Sequence, residues 1–92
     1  MQIDKTVIPV RNDSITEKEL ENEIILYNKT DHNVHSLNLT AAILWNLCDG
    51  KMTVLEMIAY LLDKFKGDKK LIEEDVIKTL EEMQGKNLIT MR

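Results

Sequence analysis

A chain of 92 residues with 43% hydrophobic and 30% charged side chains is expected to form one small domain over residues 1–92, burying roughly 60–70% of the surface its unfolded form exposes and leaving little room for an enclosed active site. No apolar run approaches the roughly 18 residues of a membrane span and the N-terminus lacks a basic-then-apolar signal pattern; with a single cysteine, Cys48, a disulfide framework is excluded and a reducing, cytoplasmic location is expected. The net charge of −4 is uneven, four Lys/Arg against eight Asp/Glu in residues 1–50 and eight of each in residues 51–92, which gives no footprint for nucleic-acid phosphate and leaves an acidic half that is either solvated surface or suited to a basic partner.

The first half reads as extended. Thr6-Val7-Ile8-Pro9-Val10-Arg11 is β-branched, and because Pro9 cannot donate to a ladder it is expected as an edge strand or a strand end. Asn12-Asp13-Ser14 is turn chemistry. Residues 15–22 are charged and read either as a weakly alternating strand or as a helical turn. Glu23-Ile24-Ile25-Leu26-Tyr27 is the clearest strand, Asn28 to Asn33 a polar turn, and Val34-His35-Ser36-Leu37 a third strand that completes a hairpin.

The second half reads as three helices. Thr40 or Asn38 caps the first, with Gly50 as the left-handed residue at its end. Thr53 and Glu56 form a capping box for the second, which runs to about Phe65 with Leu55, Ile58, Leu62 and Phe65 as its apolar line and Gly67 as its stop. The third spans about Ile72 to Gln84, buries Ile72, Val76, Leu80 and Met83, and stops at Gly85. Leu88-Ile89-Thr90 is a short extended tail expected to pack back on the sheet. The expected class is α+β: a three-stranded antiparallel N-terminal sheet followed by three α-helices, the geometry from which a winged helix-turn-helix is built.

No residue set points to catalysis. His32 and His35 stand three apart, which in a strand puts them on opposite faces, and a metal site needs at least three donors; they read as exposed polar residues. Cys48 lies in the apolar period of the first helix, where a thiol acts as a small hydrophobe. Trp45 reads as core with its indole N–H satisfied at the rim, and Glu73-Glu74-Asp75 and Glu81-Glu82 as solvated helix surface. No catalytic residue, cofactor site or metal site is expected. Binding remains, and two surfaces qualify. One is the third strand: if only one of its edges is paired, it offers free N–H and C=O groups to which an extended peptide can add as a further strand. The other is the flank of the third helix beside it, where Ile77 is either a partly exposed apolar contact, with Lys78, Glu81 and Gln84 adding polar selectivity, or part of a wider core stripe.

Taken in order, Leu37-Asn38, Thr40-Ala41, Trp45, Asp49-Gly50, Thr53-Val54 with Glu56 and Ile58, Asp75-Val76 and Leu88-Ile89 make a pattern over residues 23–91 that resembles the PqqD-like family. Residues 1–22 diverge from it. The resemblance implies a RiPP recognition element: a non-catalytic peptide chaperone that holds the leader of a ribosomally made precursor against the third strand and third helix, the implied contacts being His32, Asn33, Val34, His35, Ser36 and Leu37 and the exposed flank of the third helix. It then presents that leader to a maturation enzyme, either a radical SAM protein or a leader peptidase. The Asn-x-Thr-Ala and Trp45 pattern looks more like the broad PqqD-like branch than the members serving pyrroloquinoline quinone synthesis. Read from the residues alone, a winged-helix DNA-binding regulator, a protein–protein adaptor and a strand-edge dimer stay open as alternatives.

Overall fold

The computed structural model describes residues 4–21 and 23–92; residues 1–3, and position 22 of the stretch left open between strand and helix, lie outside them. The elements run β1 Pro9–Arg11, β2 Ile15–Glu19, β3 Ile24–Asn28, β4 Val34–Leu37, α1 Leu39–Leu47, α2 Val54–Lys64, α3 Lys69–Gly85 and β5 Ile89–Met91. The class is α+β with three helices and antiparallel sheets, but the strands are distributed differently from the expectation. Among the described residues the strands form two sheets, β2-β3-β4 and β1-β5.

The hairpin β3–β4 is the nucleus of the larger sheet, with Ile24 opposite Leu37 and Tyr27 opposite Val34. Its turn is closed by Asn28 N–H donating to the Asn33 carbonyl at 2.9 Å, with His32 in the left-handed region at φ 62°. The third member of this sheet is β2, not the β-branched segment around Pro9. Ile15, Glu17 and Glu19 share the face of Leu26 and Ile24, so two of the three inward positions hold glutamates and the apolar alternation that signals a strand is missing. Glu17 is held there by the Trp45 indole, whose Nε1 donates to Glu17 Oε1 at 2.8 Å.

The segment containing Pro9 pairs instead with the tail, Pro9 opposite Met91 and Arg11 opposite Ile89. Its ladder bonds fall on even positions: Ile8 and Arg92 exchange backbone bonds at 3.0 Å and Asn12 N–H reaches the Leu88 carbonyl at 3.0 Å. Pro9 therefore sits where no ladder donor is required. The tail does pack on a strand, but on β1 and not on the three-stranded sheet.

Asn38 caps α1, its Oδ1 accepting from Ala41 N–H at 2.9 Å, and Gly50 adopts φ 82° in the turn beyond. The capping box of α2 is complete: Glu56 N–H donates to Thr53 Oγ1 at 3.1 Å and Thr53 N–H to Glu56 Oε1 at 2.9 Å. The buried stripe of α2 is Val54, Met57, Ile58 and Leu61, one step round from the expected line, and Leu55 and Phe65 are exposed. Both lines have helical spacing. The choice is made where the N-terminal segment ties down the first turn, with Val54 and Leu55 N–H donating to the Val7 and Lys5 carbonyls at 3.0 Å each. The helix ends as Phe65 turns extended, ahead of Gly67. Helix α3 starts three residues earlier than expected because Asp68 caps it, accepting from Lys70 N–H at 2.9 Å, and buries Val76, Leu80 and Met83. Its stop is not Gly85, which is still helical, but Asn87 at φ 60°, with Leu88 N–H reaching back to the Met83 carbonyl at 2.9 Å. Asn tolerates this conformation better than most residues.

Cys48 is fully buried, and burial pushes its thiol up from 9.0 to about 12. The folded state therefore keeps a proton that the unfolded chain releases above about 9, so this group's contribution to stability is intact below that pH and is lost as pH rises from 9 toward 12. The expected result is that iodoacetamide fails to alkylate the native protein at pH 8 and labels it fully in denaturant, read by intact mass.

Candidate functional site

One side of β4 is an open sheet edge. In the order β2-β3-β4 this strand is terminal, with no strand beyond it among the described residues. The register decides which of its groups are free. Antiparallel pairs alternate between hydrogen-bonded and non-bonded, and the Asn28–Asn33 bond sets the phase. Pairs Leu26–His35 and Ile24–Leu37 are bonded, and Tyr27–Val34 and Ile25–Ser36 are not. The other side of β3 agrees, since Leu20 N–H donating to the Glu23 carbonyl at 2.8 Å and Lys29 N–H to that of Ser14 at 3.0 Å assign Tyr27 and Ile25 to β2. Val34 and Ser36 thus direct their N–H and C=O groups outward. Val34 is 63% exposed, and the Ser36 hydroxyl on the outer face donates to Glu23.

Just past the end of β4 lies a mostly apolar hollow of about 160 Å³. Leu39, Thr40 and Ile43 from α1, Leu61 and Phe65 from the end of α2, and Ile72, Asp75 and Val76 from α3 line it. Leu39 is 68% exposed and Phe65 49%, unusual for side chains of this size beside a core. A strand edge able to pair and an apolar hollow beyond it are suited to holding an extended chain. Among the described residues no group of three His, Cys, Asp or Glu side chains is placed to hold a metal ion.

Residues 23–89, from β3 into β5, match the model of coenzyme PQQ synthesis protein D, PqqD. The chain belongs to the PqqD family. Among solved structures, TbiB1 in complex with the TbiA(beta) leader peptide is similar, with a TM-score of 0.78 and 16% identity over 87% of this chain and 93% of that one. So is lasso peptide synthetase B1 complexed with the leader peptide, with a TM-score of 0.77 and 15% identity over 90% of this chain and 98% of that one. At such identities the likeness is one of fold. No curated protein matches.

The site residues read from the sequence of this PqqD-family chain divide into two groups. His32 and Asn33 lie exposed in the β3–β4 turn, His32 Nδ1 standing 2.8 Å from the Tyr27 hydroxyl. Val34 and Ser36 carry the free backbone groups, and Leu37 is buried beneath them. His35 departs from its expected exposure. It is half-buried on the inner face beside Leu37, and its Nε2 is shielded and unpartnered. The α3 residues are not gathered here. Ile77 packs against the core and lines a different hollow, with Lys5 and Glu73, whose side chains form an ion pair. At about 100° per residue, Ile77, Lys78, Glu81 and Gln84 lie roughly 120° or more around the helix from Ile72. The α3 side chains that reach the hollow are Ile72, Asp75 and Val76. Periodicity marks Ile72 and Val76 as core and cannot show that the same line is open at its N-terminal end. The available signal was Leu39, an aliphatic residue at the first position of a helix whose cap faces solvent.

Proposed function

We propose that this PqqD-family chain is a non-catalytic RiPP recognition element. It captures the leader segment of a ribosomally made precursor peptide by strand addition and presents it to a modifying enzyme. The observation that carries the reading is the open edge of β4, where Val34 and Ser36 offer four unpaired backbone groups. Each bond to an incoming strand contributes roughly 0.5–1.5 kcal/mol net. Support comes from the two similar structures, both of which hold leader peptides, and from the family match, which spans the edge and the hollow. In this reading the leader lies along β4 and continues over Leu39 into the hollow, so α3 contributes Ile72, Asp75 and Val76 ahead of Ile77, Lys78, Glu81 and Gln84. The receiving enzyme is a radical SAM protein or a leader peptidase in the cytoplasm, and the module is one domain over residues 1–92. Among the described residues no helix is long and apolar enough to cross a membrane.

The three helices beside a small sheet follow a winged helix-turn-helix plan in this reading, without its DNA chemistry. Helix α3 carries Glu73, Glu74, Asp75, Glu81 and Glu82 against Lys69, Lys70 and Lys78, a balance that repels phosphate.

The test is an amide NMR titration of isotope-labelled protein with the leader of a short open reading frame beside its gene. Shifts concentrated on residues 34–40 and on the first half of α3 are expected. An unchanged spectrum at high peptide concentration, or shifts confined to the outer side of α3, would sink strand addition at β4.

A further inference from the structure

We infer that the leader captured at β4 is basic where it leaves the strand, carrying Lys or Arg beside the large apolar side chain that enters the hollow. This rests on the leader-binding reading and narrows the class of peptide it admits. Three hollows meet at the exposed Leu39: the apolar one described above, one between the β2–β3 turn and the end of β4, and one between that turn and α1. Their charged linings are Asp75 in the first and Glu19, Glu21 and Glu23 in the other two. Among the described residues no Lys, Arg or His lines any of them.

The absence of cations is local. The chain has 12 Lys and Arg, and Lys5, Lys69 and Lys70 line the hollow on the other flank of α3. None of the four carboxylates forms an ion pair, the Lys5–Glu73 pair being the sole one among the described residues. Glu23 is drawn to the strand by the Ser36 hydroxyl, which sets its charge beside the edge that pairs. An apolar surface flanked on both sides by unneutralised carboxylates rejects an acidic peptide and steers a basic one. Lys and Arg suit both parts of it, since their aliphatic stems cover apolar surface while the head group stays in water beside a carboxylate.

The experiment pans a display library of random linear peptides against the full chain and against a triple variant, Glu21→Lys, Glu23→Lys and Asp75→Lys, at exposed positions. Against the natural chain, the expected winners combine an aliphatic or aromatic residue with neighbouring Lys or Arg. Their affinity falls with added salt, and falls on the order of tenfold against the triple variant. Salt dependence of the natural chain gives the same answer should the variant fold poorly. Winners that are neutral or acidic, or indifferent to salt, yet lose binding on Ser36→Pro, overturn the charge inference and leave strand addition standing. Winners whose binding survives Ser36→Pro, or no winners at all, overturn both.

Discussion

Replacing Ser36 by proline is expected to weaken leader binding by about two orders of magnitude while the protein stays folded. The Ser36 N–H points away from β3, because the Ile25–Ser36 pair is a non-bonded one. Proline there removes no ladder bond within the protein and places its ring on the free edge, where an incoming strand must approach. Losing that bond and displacing its neighbours removes two or three contacts, roughly 2–3 kcal/mol, or about 30- to 150-fold in Kd. Two companions make the result specific. Ser36→Ala keeps both backbone groups, loses an exposed hydroxyl bond to Glu23, and is expected to bind within about threefold of the natural chain. His35→Pro strikes a bonded pair and is expected to lower the melting temperature, because it opens the β3–β4 ladder itself. Titration calorimetry beside thermal unfolding by circular dichroism separates the three. Equal binding by Ser36→Pro and the natural chain would mean that the leader does not add to β4.

The alternation that makes this prediction possible was readable only in part from the residues. The strands at Ile24–Asn28 and Val34–Leu37 carry their own signal, apolar inward positions bounded by Asn-rich turns, and the first two helices carry theirs in the caps at Asn38 and Thr53. What did not show was partnership. Strand β2 hides its inward face behind Glu17 and Glu19, and Glu17 makes sense only once Trp45, 28 residues away in sequence, supplies the donor. The segment at Pro9–Arg11 has good strand composition, but composition cannot choose between two sheets, and its partner lies at the far end of the chain.

The same limit explains the site. Its strand half is local: the sequence marks β4 as a short strand with Val34 outward, but not which of its backbone groups are left free, which only the pairing with β3 decides. Its helical half depends on which of two equally spaced lines on α2 turns inward. Once Val54 and Met57 are buried, Phe65 is left at the surface, where with Leu39 it opens the hollow. Asp75, on the same side of α3 as Ile72 and Val76, looked like one of three solvated carboxylates. Only the packed helices distinguish it from Glu73, which the Lys5 ammonium engages on the opposite flank and whose carboxyl that hydrogen bond holds below its usual range.

The largest effect on stability is expected at Trp45. The indole is 2% exposed, its N–H donates to Glu17 in β2, and the Arg11 guanidinium of β1 stands 5.9 Å from the ring centroid. Through α1 this one side chain joins the two sheets. Trp45→Ala removes the ring and leaves a cavity, at a cost of about 3–5 kcal/mol. A chain of this length has roughly 5–14 kcal/mol of stability in all. The expected fall in melting temperature is about 15–30 °C, followed by far-ultraviolet circular dichroism so that loss of the fluorophore does not blur the reading. Trp45→Phe keeps most of the apolar contact and loses the hydrogen bond, which places it between the two at about 1–2 kcal/mol. Glu17→Gln retains an acceptor oxygen at an exposed position and should change stability by less than about 0.5 kcal/mol. This ordering separates packing from the hydrogen bond. If Glu17→Gln were as damaging as Trp45→Ala, the glutamate charge, and not the ring, would be what holds β2 against α1. Because β2 pairs with β3 and β3 with β4, a chain weakened at Trp45 should also lose leader affinity as it approaches its lowered midpoint, and recover it on cooling. An affinity that tracks temperature in this way marks Trp45 as support for the binding edge from the opposite side of the sheet.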